Sequence, residues 1–190
     1  EEAYVDALAA EVERLVVASR GRAFVLCTSY RRATQLFDRL SPRLPFPCYA
    51  QGTAPRNELL DRFRDDGGAV LFATKSFWEG VDVPGEALSL VIIDKLPFAP
   101  HLDPVIQHRA QRIEAAGGNA FAQDTLPEAI LALKQGVGRL IRTETDRGVM
   151  AILDSRLNTK RYGAQVLASL PRARRTLQFE DVQAFFEEEG

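Results

Sequence analysis

The 190-residue sequence predicts an α/β fold, a doubly wound, mostly parallel sheet flanked by helices. Two observations carry the prediction. Five runs, AFVLCT (23–28), FPCYA (46–50), AVLFAT (69–74), LSLVIID (88–94) and GVMAILD (148–154), are apolar without alternation. Strands apolar on both faces need cover on both, which is how parallel sheets under helices are built. The segments between them place apolar residues at helical spacing, so strand and helix alternate along the chain.

Each element has its own signal. Residues 1–19 form a leading amphipathic helix, with Val5, Leu8, Ala9, Val12, Leu15 and Val16 on one face and acids opposite. AFVLCT is the first strand, and SYRRATQLFDRL after it is a helix. FPCYA is a short second strand, followed by a helix from about Arg56 to Arg64. Asp103 before Pro104 caps a helix running to about Ala116, which Gly117 and Gly118 stop. Thr125-Leu-Pro-Glu128 has the form of a capping box and opens the helix that carries QGVGRLIR, residues 135–142. The tail, 171–190, ends in a helix with Phe179, Val182, Phe185 and Phe186.

Composition narrows the class. A length of 190 residues suits a single domain, 1–190. The chain starts at Glu1 and its sole methionine is Met150, so it is expected to be a fragment of a longer protein. A net charge of -2 argues against indiscriminate nucleic-acid binding through bulk charge. No run approaches the roughly 20 apolar residues that cross a bilayer, and no signal peptide is legible, so no membrane partner and a cytoplasmic location are expected. Cys27 and Cys48 have no CxxC spacing, and His101 and His108 form no ligand pattern, so no metal site is expected.

The chemistry concentrates at one helix and three loops. At about 100° per residue, Gln135, Arg139 and Arg142 fall on one side of the 135–142 helix, opposite Ile130, Leu133, Val137, Leu140 and Ile141. Gly136 and Gly138 each cost a helix interior about 0.8–1 kcal/mol against alanine, which implies that something approaches that backbone closely. Arginine's fixed fork of donors suits a phosphate held between two surfaces; a solvated arginine face is the plain alternative. Ligands of open parallel sheets sit beyond the strands' carboxyl ends. The loop Thr28-Ser29-Tyr30-Arg31 there either holds a phosphate at a helix amino end or is an ordinary Ser29 cap. TKSFWEGVDVPGE (74–86) sets Phe77 and Trp78 either to pin the loop or to offer a surface to bases, with Glu79, Gly80 and Asp82 next to them. In the third loop, Arg156 pairs with Asp154 or Asp82.

No GxxxxGKS/T loop is present, so the cradle for the β and γ phosphates of ATP is missing. Asp94 and Asp154 imitate the acidic strand end that holds magnesium, but without that loop neither makes a site. Finger-like arginines without a nucleotide cradle amount to half of an active site.

Taken together and in this order, AFVLCTSY, FATKSFWEGVDVPGE, VIIDKLPFAPHLDP and QGVGRLIRTETDRGVMAILDSR resemble the motifs of the C-terminal, second RecA-like domain of superfamily 2 DNA helicases of the DinG/XPD-like family, over about residues 20–170. The resemblance implies a RecA-like lobe without its own Walker A motif, the second motor domain of an ATP-dependent DNA helicase with a part in DNA repair. By position, Gln135, Arg139 and Arg142 would face ATP and Mg2+ bound on the first RecA-like domain, the arginines acting as fingers. Glu79, Gly80 and Asp82 would contact that nucleotide and couple it to the DNA track, and Ser29, Tyr30 and Thr74 would sit near the phosphates of single-stranded DNA. The implied partners are the first RecA-like domain in cis and single-stranded DNA. An iron-sulfur cluster belongs, where relatives have one, to the first domain and not to this chain. The fragment alone is expected to be inactive. Two alternatives stand beside this reading: a catalytically silent RecA-like module that binds nucleic acid or protein, and the motor lobe of an ATP-driven nuclease.

Overall fold

In the computed structural model, residues 1–78, 83, 87–100, 102–141 and 146–188 are described, excepting the side chains of Trp78 and Arg139. Among them five strands run parallel in one sheet, β1 (Ala23–Cys27), β2 (Cys48–Ala50), β3 (Val70–Thr74), β4 (Leu90–Ile93) and β5 (Val149–Ile152). Their order across the sheet is β2-β3-β1-β4-β5. Val25 lies level with Phe72 on one side and Ile92 on the other, which makes β1 the central strand.

Unbroken apolar runs become strands here because each face feeds its own core. Phe24, Leu26, Leu71, Ala73, Val91 and Ile93 point into one cluster, with Leu59 and Phe63 of α3 (Arg56–Asp66), Ile130 and Leu133 of α6 (Leu126–Leu140), and Val166 of α8 (Tyr162–Ser169). Val25, Cys27, Val70, Phe72, Leu90 and Ile92 point into the other, beneath α1 (Glu2–Ala18), α2 (Tyr30–Leu40) and α9 (Phe179–Glu187). The six apolar positions expected on the leading helix are the six that α1 buries. The remaining helices are α4 (Lys75–Trp78), α5 (Pro104–Ala115) and α7 (Arg156–Thr159). Gly117, at φ 79°, and Gly118 end α5 as expected, their N–H groups donating to Glu114 and Ile113 carbonyls at 2.9 Å.

Three expectations need correction. The fifth strand is not covered on both faces: β5 is an edge of the sheet and all four of its residues are half-buried, because flanking helices reach only part way over an outermost strand. Thr125 does not cap α6. Its backbone is helical, at φ -63° and ψ -47°, and its side chain makes no capping bond. The helical path begins earlier, in a π-helical turn at Phe121–Thr125, where Asn119 Oδ1 accepts the Ala122 N–H at 2.9 Å. Tertiary contact explains the earlier start, since the Phe121 ring sits 5.7 Å from Phe98 and 5.2 Å from Tyr162. Third, α6 ends at Leu140 and Ile141 is extended (φ -115°, ψ 106°), so the helix does not run unbroken over 135–142. Leu140 anchors that end by packing on Gly148, where an added Cβ would meet Leu140 Cδ1 at 2.6 Å.

After β1 the chain passes to α2 on one face of the sheet, and after β4 it passes, by way of α5, to α6 on the other. Adjacent strands whose continuations part in this way leave a crevice beyond their carboxyl ends. Thr28 and Asp94, at the ends of those two strands, line it.

Candidate functional site

The floor of the crevice is Asp94, which follows β4 and is 1% exposed. Its carboxylate accepts the Thr28 N–H at 2.9 Å and the Thr28 hydroxyl at 3.3 Å, tying the ends of β1 and β4 together. Burial raises the Asp94 pKa, and the bonds from Thr28 oppose that rise. Asp154, beyond β5, is committed in the same way. It accepts the buried Leu96 N–H at 2.8 Å, and its oxygens take the Arg156 guanidinium at 2.6–3.0 Å. Burial works to raise its pKa, but the hydrogen bonds from Arg156 and Leu96 outweigh burial and hold the carboxyl below its ordinary value. Arg156 is paired with Asp154, Asp82 lying outside the described residues, and its guanidinium also lies 5.2 Å from the Phe98 ring centre.

On the β1 and β3 side, Ser29 does cap α2: extended at φ -145°, it accepts the Arg32 N–H at 3.2 Å. Tyr30 next to it is 53% exposed. Its hydroxyl rests over Gly52, where an added Cβ would lie 2.2 Å from Tyr30 Oη. Gly52 stands at φ 94°, a conformation side chains resist. The neighbouring Gln51 accepts both the N–H and the hydroxyl of Thr74, at 2.8 and 2.9 Å. Tyr30 and Thr74 thus meet at the adjoining residues Gly52 and Gln51, two residues that sequence reasoning missed. The available signal was a polar pair, QG, directly after the CYA strand.

Along α6, Ala129, Ile130, Leu133 and Leu140 are buried while Gln135 is exposed, so the helix has the packed face and the open face expected of it. Val137 is half-buried, and Ile141, 38% exposed, does not belong to the packed face. A Cβ added at Gly138 meets nothing within 4 Å. No part of the described chain approaches that glycine. The backbone of Arg139 lies on this helix with its side chain outside the description, and Arg142, Glu79, Gly80 and Asp82 lie outside the described residues. In the loop after β3, Phe77 is buried and pins the chain to the core, with the Arg56 guanidinium 5.6 Å from its ring.

Cofactor chemistry is constrained by the same residues. The oxygens of Asp94 and Asp154 are spent on Thr28, Leu96 and Arg156, so these strand-end acids do not fit a magnesium site. Cys27 lies in β1, its thiol pushed up by burial, and Cys48 lies in β2, pushed up to about 11 by burial. Strand β3 separates them. A cluster needs four deprotonated ligands, which these two thiols do not supply.

Comparison with known proteins agrees with this geometry. The sequence pattern of the helicase C-terminal domain family matches residues 12–173. The chain is 48% identical over 169 residues to the ATP-dependent DNA helicase YoaA of Escherichia coli, covering 89% of the chain and 27% of that protein. It is 42% identical over 174 residues to the ATP-dependent helicase DinG of Mycobacterium tuberculosis, covering 92% of the chain and 26% of that protein. Its fold is similar to a solved XPD helicase structure with a TM-score of 0.70 at 19% identity, covering 91% of this chain and 32% of that one. The chain therefore spans about a quarter of the length of these two curated relatives.

Proposed function

The chain belongs to the helicase C-terminal domain family, and from that premise we propose that it is the second motor lobe of an ATP-dependent DNA helicase, completing a nucleotide site whose cradle lies on a first lobe in cis. The observation that carries the proposal is the open face of α6, where Gln135 is exposed and Gly138 has empty space above it, on a lobe with no phosphate loop of its own. Gly138, which costs the helix about 0.8–1 kcal/mol against alanine with no described residue over it, leaves room for a neighbour from another lobe.

In this proposal Arg139 and Arg142 deliver positive charge to the γ phosphate as it departs, stabilising the transition state electrostatically. Gln135 contacts the same nucleotide. ATP and Mg2+ are shared with the first lobe, which supplies the cradle. Glu79, Gly80 and Asp82 link the nucleotide to the strand, which runs past Ser29, Tyr30 and Thr74. The bonded pair Gln51 and Thr74, with Tyr30 packed over the adjoining Gly52, supports that track, because a nucleotide-driven shift of the loop after β3 would reach Tyr30 through Gln51 and Gly52. ATP binding closes the lobes and hydrolysis reopens them, a population shift driven by contacts made only in the closed state.

The test is Arg142→Ala in the full-length protein. ATP turnover should fall by about 10³-fold or more while binding of single-stranded DNA survives. The separate 190-residue chain should hydrolyse no ATP. Unchanged turnover in Arg142→Ala would leave only a catalytically silent binding lobe, and hydrolysis by the separate chain would remove the two-lobe reading.

A further inference from the structure

The crevice between β1 and β4 deepens into a cavity of about 250 Å³. Its walls come from the ends of both strands, from the PFAP segment at 97–100 and from Ala132 and Leu133 of α6. Most of the lining is apolar, with Phe98 as the one aromatic ring among the described residues. Thr28, Lys75, Asp94 and Lys95 supply the polar groups. An apolar hollow with a few convergent polar groups at a switch point is the usual form of a ligand site. This one lies just under the roughly 300–1,000 Å³ that drug-sized ligands occupy, a size suited to one small flat ring system.

Its position names the occupant. Thr28 precedes Ser29 and Lys75 follows Thr74, so two of its walls are direct continuations of the proposed DNA track. Lys75 is exposed, Lys95 is half-buried with its ammonium 4.9 Å from the Tyr4 ring centre, and two cations beside a hollow can hold the phosphates on either side of an inserted base. Asp94 is already bonded to Thr28 and shapes the floor. Resting on the DNA-track reading above, we propose that this cavity receives one unstacked nucleobase of the bound single strand, packed against Phe98, while Lys75 and Lys95 hold its flanking phosphates. The strand is then gripped by a base as well as by its backbone, in one register for each closed state of the motor.

The experiment is an abasic scan on the full-length protein, using an oligothymidylate in which one abasic site is stepped through every position. One position should weaken binding by roughly 5- to 100-fold, the range that base stacking supplies, and its neighbours should not. Ala132→Phe fills the cavity and should reduce that single-position penalty to under about twofold, the coupling expected of groups in contact. Should Ala132→Phe melt below the wild type, Ala99→Leu on the opposite wall makes the same test. In the unmutated protein, 5-iodouracil at the sensitive position should crosslink to Phe98 on illumination. Strand binding with no sensitive position overturns the base site and leaves the track standing, as does a sensitive position that crosslinks elsewhere. Failure to bind single-stranded DNA at all overturns the track itself.

Discussion

Replacing Asp154 by alanine tests the account of the crevice most directly. The carboxylate accepts the N–H of Leu96, a residue 2% exposed, at 2.8 Å. Leaving a buried donor unsatisfied costs about 1–3 kcal/mol. The same carboxylate holds the Arg156 guanidinium at 2.6 Å, but that side chain is 38% exposed. Solvent screening limits the pair to about 1 kcal/mol or less. The sum is about 1–4 kcal/mol, and a domain of this size loses about 2–4 °C of melting temperature per kcal/mol. Thermal unfolding followed by circular dichroism at pH 7 should therefore place Asp154→Ala roughly 2–16 °C below the wild type. The pH dependence has a definite sign. The folded carboxyl lies below its ordinary value, so its contribution is complete above the unfolded value near ~3.9 and is lost as pH falls through the folded value. The gap between variant and wild type should thus narrow below about pH 4. A drop smaller than about 2 °C, or a gap that widens on acidification, would refute the assignment of Leu96 and Arg156 to this carboxylate.

Gly138→Ala separates the needs of this lobe from those of the motor. An added methyl meets nothing within 4 Å, so the helix should gain about 0.8–1 kcal/mol, read as a higher melting temperature. ATP turnover of the full-length protein should nevertheless fall, and equal turnover would mean that no second surface comes close to α6. At the far end of the sheet, Gly21→Ala should destabilise severely, because φ is 74° and the new Cβ would sit 1.9 Å from the Gly68 carbonyl oxygen. A loss of about 2–4 kcal/mol in chemical denaturation is expected, and a loss under about 1 kcal/mol would mean that the turn relaxes freely.

Several local features were legible without coordinates because they depend on a residue and its near neighbours. The six apolar positions of α1, the Ser29 cap and the glycine stop of α5 are of this kind. The Thr125 box was misleading because it too was judged locally. Packing of Phe121 against Phe98 and Tyr162, from segments distant in sequence, moved the helix start back into the π-helical turn. Gln51 went unnoticed for a similar reason. A glutamine after a short strand has no meaning until Thr74, 23 residues away, is brought level with it by the pairing of β2 with β3.

By itself the sequence determined the alternation of strands and helices, the faces they bury, and the absence of a phosphate loop. Backbone periodicity and caps operate over a few residues, and a missing motif needs no fold to be seen. Strand order, the exposed edge at β5, the bond from the Leu96 N–H to Asp154 and the hollow between β1 and β4 were decided only by the tertiary structure. Each depends on which distant segments become neighbours, and that is settled by burying both faces of the sheet at once, a condition that no short stretch of chain contains.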